Sequence, residues 1–195
     1  LNYEGDQLLA QHDVIDAVCF LEAEQSFPEL LRRIESGEPF TDMSGYGFRL
    51  PDGSVQNNTI DTINRKEPEG TFIADLDTVP FADWSCFDLS HYEEKYLPIT
   101  TSRGCIRRCT FCSEAPIWGR YRYRSAQNIA DEMMMQSSRH PEVKTFWFMD
   151  SLVNGNIEML EELCDILIEH QTAGVDGKER GNGKFGWTGQ FLVRK

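Results

Sequence analysis

The chain has 195 residues, of which 40% are hydrophobic, and this is enough to pack one ordinary domain or slightly more. Its formal net charge of −13 argues against a general nucleic-acid-binding protein, which would need a basic surface. No apolar run approaches the roughly 20 residues of a membrane span, and no secretion signal opens the chain. These features predict a cytoplasmic protein.

The two ends of the chain predict that it is a fragment of a longer protein. The sequence begins with Leu1 rather than Met, and its last residues, 192–195, stop in the middle of a strand pattern. A processed mature protein is the alternative. We therefore expect part of the parent fold to be missing, and the chain alone to lack catalytic turnover.

The first half of the chain mixes short regular elements with a long polar stretch. Residues 14–20 form an apolar, strand-like run, and a helix is predicted over 29–35 with Ser26 as its N-cap. A hairpin is predicted at 47–56, around a Pro-Asp-Gly turn. Residues 57–97 are polar and contain proline, which indicates a linker that wraps on a neighbouring domain.

The second half of the chain alternates between strand and helix patterns. Strands are predicted at 97–102, 143–150 and 185–193, and helices after the N-caps Ser125 and Asn156. This alternation predicts right-handed βαβ units with a parallel sheet. In such sheets, ligands bind at the carboxyl ends of the strands.

Three cysteines lie in one short loop directly after the first of these strands. Cys105, Cys109 and Cys112 have the spacing Cys-x3-Cys-x2-Cys, which allows three soft thiolates to converge on a single iron–sulfur cluster. A cube of four irons held by three thiolates leaves one iron without a protein ligand. An open metal position of this kind is where reactions take place.

Two other metal sites compete with this interpretation of the cysteines. A structural zinc site would need a fourth ligand, which Cys86 or His91 would have to supply. A plain electron-transfer cluster would need a fourth thiolate, and the bacterial ferredoxin spacing is not found in this chain. Cys19 and Cys164 lie in apolar patterns and are predicted to be core residues.

Arginines are concentrated around the cysteine loop, where Glu114 is the only acidic residue. They are Arg103, Arg107, Arg108, Arg120, Arg122 and Arg124. A basic surrounding suits an anionic cluster and a cosubstrate that carries a carboxylate. Surface ion pairs, each worth little, are the alternative for any one of them.

The cysteine spacing, with Phe111 just before the last cysteine, resembles the signature of the radical S-adenosylmethionine (radical SAM) enzymes. Segments 98–105, 118–125 and 148–151 resemble radical SAM proteins that carry an N-terminal cobalamin-binding domain. Residues 14–24 resemble the last strand and loop of that domain, although Leu21 and Ala23 stand where the family usually has glycine.

The resemblance implies an α/β fold with three regions. Residues 1–40 would be the C-terminal edge of a Rossmann-like cobalamin-binding domain, and residues 41–96 a hairpin and linker. Residues 97–195 would form the first βα units of a radical SAM (β/α) partial TIM barrel. The motif that ligates cobalamin in the family would lie upstream of residue 1.

The resemblance also implies roles for individual residues. Cys105, Cys109 and Cys112 would ligate a 4Fe–4S cluster, and Phe111 would lie against the adenine of S-adenosylmethionine. Asp150 and Ser151 would hold the amino group of that cosubstrate, and Gln190 and Arg194 would meet the carboxylate of substrate or cosubstrate. The alternatives are a loop-bracing acid for Asp150 and a strand-end salt bridge for Arg194.

The implied reaction begins with one electron from a reduced flavodoxin- or ferredoxin-like donor. S-adenosylmethionine is cleaved reductively, and the resulting 5′-deoxyadenosyl radical abstracts hydrogen from an unactivated carbon of a small-molecule substrate. With cobalamin, a methyl group would then be transferred to that carbon. The alternatives are a methylthiotransferase-like RNA modifier without cobalamin and a non-catalytic, cysteine-rich metal-binding module.

Overall fold

The computed structural model describes residues 5–20, 22–58, 72–92, 96–172 and 185–193. The chain divides into two compact units, the first comprising Leu1–Ala74 with Phe111–Gly119, and the second Asp75–Thr110 with Arg120–Lys195. Leu21 and the predicted ligand Arg194 lie outside the described residues. Among those residues, no helix combines the length and the apolar character that crossing a membrane requires.

The first unit contains a three-stranded antiparallel sheet of order β1-β2-β3. Its strands are β1 Ala17–Cys19, β2 Tyr46–Arg49 and β3 Val55–Asn57. The predicted hairpin is confirmed, and Gly53 in its turn has a φ of +83°, in the left-handed region that favours glycine. The sheet includes residues on both sides of position 40, and the boundaries of the first two predicted regions stay predictions.

Among its described residues, the first unit has the helices α1 Gly5–Gln11, α2 Ser26–Ser36 and α3 Glu114–Trp118. Helix α2 buries Leu30 and ends at Gly37, whose φ of 70° forms a left-handed C-cap. The prediction that Ser26 is the N-cap is wrong, because the cap position is Gln25. The Ser26 hydroxyl instead donates to the Glu22 carbonyl at 3.3 Å, a bond from the first turn to the preceding backbone.

The second unit contains the predicted parallel sheet, in the order β4-β7-β8. Its strands are β4 Tyr96–Ile99, β7 Thr145–Phe148 and β8 Gly186–Thr188, each shorter than expected. A separate antiparallel pair, β5 Ser102–Arg103 and β6 Arg122–Tyr123, begins just after β4. Short 3₁₀ helices lie at Leu76–Thr78, Leu89–His91 and Val153–Gly155.

The two long helices of this unit begin where the sequence predicts. They are α4 Ala126–Arg139 and α5 Ile157–Thr172. The Ser125 hydroxyl accepts a hydrogen bond from the Asn128 backbone at 3.2 Å, and the Asn156 side chain accepts one from the Met159 backbone at 2.9 Å. Both predicted N-caps are therefore confirmed.

Strand β7 buries alternate side chains rather than both of its faces. Phe146 and Phe148 are fully buried in the core that α4 and α5 cover, and Trp187 stacks on Phe148 with a centroid distance of 4.7 Å. Trp147, in contrast, is 37% exposed and packs edge-to-face against Tyr96 on the other face of the sheet.

The polar segment before β4 packs onto α4 through hydrogen bonds. Asp77 accepts from the Ser125 backbone at 2.8 Å, and Glu132 accepts from the Ala82 backbone at 3.2 Å. Gln136 donates to the Ala82 carbonyl at 2.7 Å. Trp84 and Leu89 of this segment also pack against the hydrophobic core of the second unit, so apolar and polar contacts together hold it there.

Candidate functional site

The carboxyl ends of β4 and β7 are joined by one buried carboxylate. The backbone ladder between the two strands extends as far as Met149, whose N–H donates to the Ile99 carbonyl at 3.0 Å. The next residue, Asp150, is 3% exposed. Beyond the last backbone pair, the Asp150 side chain makes the hydrogen bonds that connect the two strand ends. This is the edge of the sheet where ligands bind in parallel α/β folds.

Oxygen Oδ1 of Asp150 accepts hydrogen bonds from both residues that open the cysteine loop. The Thr101 backbone donates at 3.1 Å and the Thr101 hydroxyl at 3.0 Å. The Ser102 backbone also donates to this oxygen, and the Ser102 hydroxyl does so at 2.6 Å. Oδ2 lies 3.2 Å from the Thr101 nitrogen.

Burial raises the pKa of the Asp150 carboxyl, whereas the hydrogen bonds from Ser102 and Thr101 act in the opposite direction. The desolvation of the charged form is therefore the larger influence at this position. The contacts show Asp150 bracing the backbone beyond β4, which is the alternative role that the sequence left open.

The cysteine loop leaves this braced backbone through a glycine. Gly104 has a φ of 84°, which a residue with a side chain adopts only with strain. The next residue, Cys105, is partly buried, and its sulfur lies 3.4 Å from the Arg107 nitrogen, whose N–H donates to it. Cys109 is exposed.

Arg124 holds the same stretch of backbone from the opposite side. Its N–H donates to the Thr101 carbonyl at 2.9 Å, and its guanidinium donates to the Thr100 carbonyl at 3.0 Å. The guanidinium also forms a buried ion pair with Glu132.

The expected basic surrounding of the cysteines therefore needs correction at Arg122 and Arg124, both of which are buried. The guanidinium of Arg124 is neutralised by an acid on α4, so it braces the fold instead of presenting charge to a ligand. Arg107 and Arg108 are exposed.

The remaining predicted site residues lie in different surroundings. Cys112, which is partly buried, and Phe111, which is 90% exposed, belong to the first unit. Ser151 and Gln190 are exposed, and the Gln190 carbonyl accepts a hydrogen bond from the Val153 backbone at 2.9 Å. Within the described ranges, no three His, Cys, Asp or Glu side chains form a ready-made metal site.

Individual roles for Thr101, Ser102 and Tyr121 at this site were not predicted from the sequence. The Tyr121 ring fits against Gly155, where an added Cβ would lie 2.3 Å from the Tyr121 Cζ atom. Burial raises the pKa of Tyr121. A Thr-Ser pair after a strand is not a distinctive sequence pattern. The role of Thr101 and Ser102 as hydrogen-bond donors is seen only in the folded chain, where Asp150 lies beside them.

Comparison with known proteins shows what this chain is similar to. No protein-family model matches the chain. Cytidylyl-2-hydroxyethylphosphonate methyltransferase of Streptomyces wedmorensis is 26% identical, over 76% of this chain and 32% of the relative. Anaerobic magnesium-protoporphyrin IX monomethyl ester cyclase of Rubrivivax gelatinosus is 28% identical, over 84% of this chain and 29% of the relative.

A solved structure shows the same fold. The radical S-adenosylmethionine methyltransferase TsrM from Kitasatospora setae, with cobalamin and a 4Fe–4S cluster bound, superposes with a TM-score of 0.65 at 20% identity. The match covers 93% of this chain and 34% of that one.

These findings confirm the predicted resemblance to the cobalamin-binding class of radical SAM enzymes and the predicted α/β fold class. The chain spans about a third of the length of the relatives it matches.

Proposed function

We propose that the protein to which this chain belongs is a radical SAM enzyme. Cys105, Cys109 and Cys112 would hold a 4Fe–4S cluster, at which S-adenosylmethionine is cleaved reductively to a 5′-deoxyadenosyl radical. The observation that carries the proposal is the position of the Cys-x3-Cys-x2-Cys loop. It leaves the carboxyl end of β4 in a parallel βα sheet that resembles the one in TsrM.

The donor set of the loop fits an iron–sulfur cluster. Three thiols in one loop are soft ligands, which favour iron–sulfur clusters or zinc over hard cations. The N–H of Arg107 that points at the Cys105 sulfur is the kind of hydrogen bond that tunes a cluster's potential. Since no metal site is ready-made among the described residues, we expect the loop to rearrange when the cluster binds.

The chain's other residues would bind and orient the cosubstrate. Both carboxylate oxygens of Asp150 accept from Thr101, and Oδ1 also accepts from Ser102, so a remaining lone pair of Oδ2 would accept from the amino group of S-adenosylmethionine. Ser151 would assist there, and exposed Phe111 would cover the adenine.

Two further residues would contact a carboxylate of substrate or cosubstrate. These are Gln190, which is exposed after β8, and Arg194, which lies outside the described residues. Their roles rest on the resemblance to the family alone.

A bound cluster would supply the electron that breaks the S–C5′ bond of S-adenosylmethionine and releases methionine, and a flavodoxin- or ferredoxin-like donor would provide that electron. Cobalamin is proposed as a second cofactor because TsrM was solved with it. The reaction we favour is methyl transfer to an unactivated carbon of a small molecule; it is supported by one relative being a methyltransferase that is named for a small molecule. The acidic balance of the chain disfavours an RNA substrate.

Anaerobic reconstitution followed by iron, sulfide and zinc analysis tests this proposal. We expect about four irons per chain, the content of a 4Fe–4S cluster, and loss of that iron when Cys105, Cys109 or Cys112 is replaced by Ala. Cys86→Ala is the matched control because Cys86 is exposed and lies outside the loop. One zinc per chain with no iron would contradict the proposal.

A further inference from the structure

We propose that Asp150 is a positioning residue for the cysteine loop, in addition to any contact with the cosubstrate. This inference deepens the proposed function and rests on it. Asp150 would set the direction in which the chain leaves β4 and would thereby place Cys105 for binding the cluster.

The first argument is the convergence of donors on a single carboxylate oxygen. Oδ1 of Asp150 receives both backbone N–H groups and both hydroxyls of Thr101 and Ser102. Thr101 and Ser102 are 0% and 3% exposed, so water cannot replace these bonds. A carboxylate that only capped a loop end at the surface would not need this degree of engagement.

The second argument is that the backbone is clamped from both sides. Asp150 takes the N–H groups of Thr101 and Ser102, while the Arg124 N–H binds the Thr101 carbonyl at 2.9 Å. Pairing of Ser102 with Tyr123 in the β5–β6 ribbon adds to this clamp. Because these backbone donors and acceptors are bonded, the backbone of Thr101 and Ser102 is held in one conformation.

The third argument is the short distance along the chain from the clamp to the first thiol. Ser102 and Cys105 are three positions apart, which is at most about 11 Å of extended chain. Gly104 between them is in a left-handed conformation that fixes the direction of the turn. A displacement of the backbone at Ser102 would therefore displace Cys105 as well.

Two substitutions separate positioning from simple loss of stability. Asp150→Asn keeps one carbonyl oxygen for the backbone donors, whereas Asp150→Leu removes both acceptors. Leu163→Ala is the matched control, because Leu163 is 0% exposed in α5 and its truncation lowers stability without removing any bond to Thr101 or Ser102.

The experiment uses the full 195-residue chain and has two readouts. The first is amide hydrogen exchange of residues 101–105 in cluster-free protein. The second is the rate at which a chelator removes iron from the reconstituted protein. Both are measured at a temperature where the variants are equally folded.

We expect Asp150→Leu to exchange amide protons at 101–105 faster and to lose iron about tenfold faster than wild type, as is typical when a group supporting a metal ligand is removed. Asp150→Asn should keep the rates of amide exchange and of iron loss close to those of the wild type, and Leu163→Ala should leave both rates unchanged. Unchanged exchange and iron loss in Asp150→Leu would overturn the inference. Iron loss from Leu163→Ala that is as fast as from Asp150→Leu would overturn the inference as well.

Failure of the proposed function looks different. In that case wild-type protein takes up no iron, while exchange at 101–105 still reports whether Asp150 fixes the start of the loop. If Asp150→Leu then exchanged its amide protons at 101–105 at the wild-type rate, the positioning role would be refuted. Faster exchange would support that role even though no cluster binds.

Discussion

The buried ion pair between Arg124 and Glu132 gives the sharpest prediction about stability. The two side chains are 8% and 5% exposed. Glu132→Ala leaves the guanidinium buried without a carboxylate and also removes the acceptor for the Ala82 backbone. Breaking a buried pair from one side costs about 3–5 kcal/mol.

That cost translates into a large change in melting temperature. For a chain of this size, each kcal/mol lowers Tm by about 2–4 °C, so Glu132→Ala should lower it by roughly 6–20 °C. Thermal unfolding followed by circular dichroism measures the shift. Glu162→Ala is the control, since it makes the same change at an exposed position of α5 and should alter stability by less than about 0.5 kcal/mol.

Equal melting temperatures for the two variants would refute the reasoning. That result would mean that Arg124 is exposed to solvent or finds another acid, and that it remains available to a ligand near the cysteines. The assignment of Arg124 to the fold, instead of to the basic surrounding of the cluster, depends on this outcome.

Two further predictions concern packing and thiol reactivity. Gly155→Ala should cost about 1–3 kcal/mol in denaturant unfolding because its Cβ would overlap the Tyr121 ring, whereas Gly186→Ala, with no atom within 4 Å of an added Cβ, should be close to neutral. In cluster-free protein, iodoacetamide at pH 8 should label Cys109 well before Cys164, as read by mass spectrometry, because Cys109 is exposed and burial raises the pKa of the Cys164 thiol. Equal free energies for the glycine variants, or equal labelling of the two cysteines, would contradict these packing and burial assignments.

Local patterns in the sequence were sufficient to predict the parallel sheet and its helices. Helical periodicity and the caps at Ser125 and Asn156 act over a few residues, so they can be recognised without knowing the fold. Strand lengths were overestimated because the apolar runs continue beyond the paired residues, as at Val143, which precedes β7 and whose N–H donates to the His140 carbonyl and not to a neighbouring strand.

The contacts that shape the site could not be predicted, because they join residues far apart in the chain. Asp150 binds Thr101 from 49 positions away, and Glu132 binds Ala82 from 50 positions away. Arg124 illustrates the difficulty, since Arg120 and Arg122 come shortly before it in the sequence, whereas its partner in space is Glu132 on α4. Charge patterns predict a surface only where the fold does not bury the charge.

Asp150 shows how a functional and a structural role overlap in one residue. Its position at the end of β7 was predictable, and so was an acid's suitability for an amino group. The engagement of Oδ1 with Thr101 and Ser102 could be seen only in the folded chain.

The central claim, a cluster with one open iron, is tested most directly by electron paramagnetic resonance of the reduced, reconstituted chain before and after addition of S-adenosylmethionine. We expect a cluster signal in the wild type whose g-values shift when the cosubstrate is added, since it would ligate the iron that has no cysteine. A cluster signal that S-adenosylmethionine leaves unchanged, or no cluster signal at all, would contradict the claim.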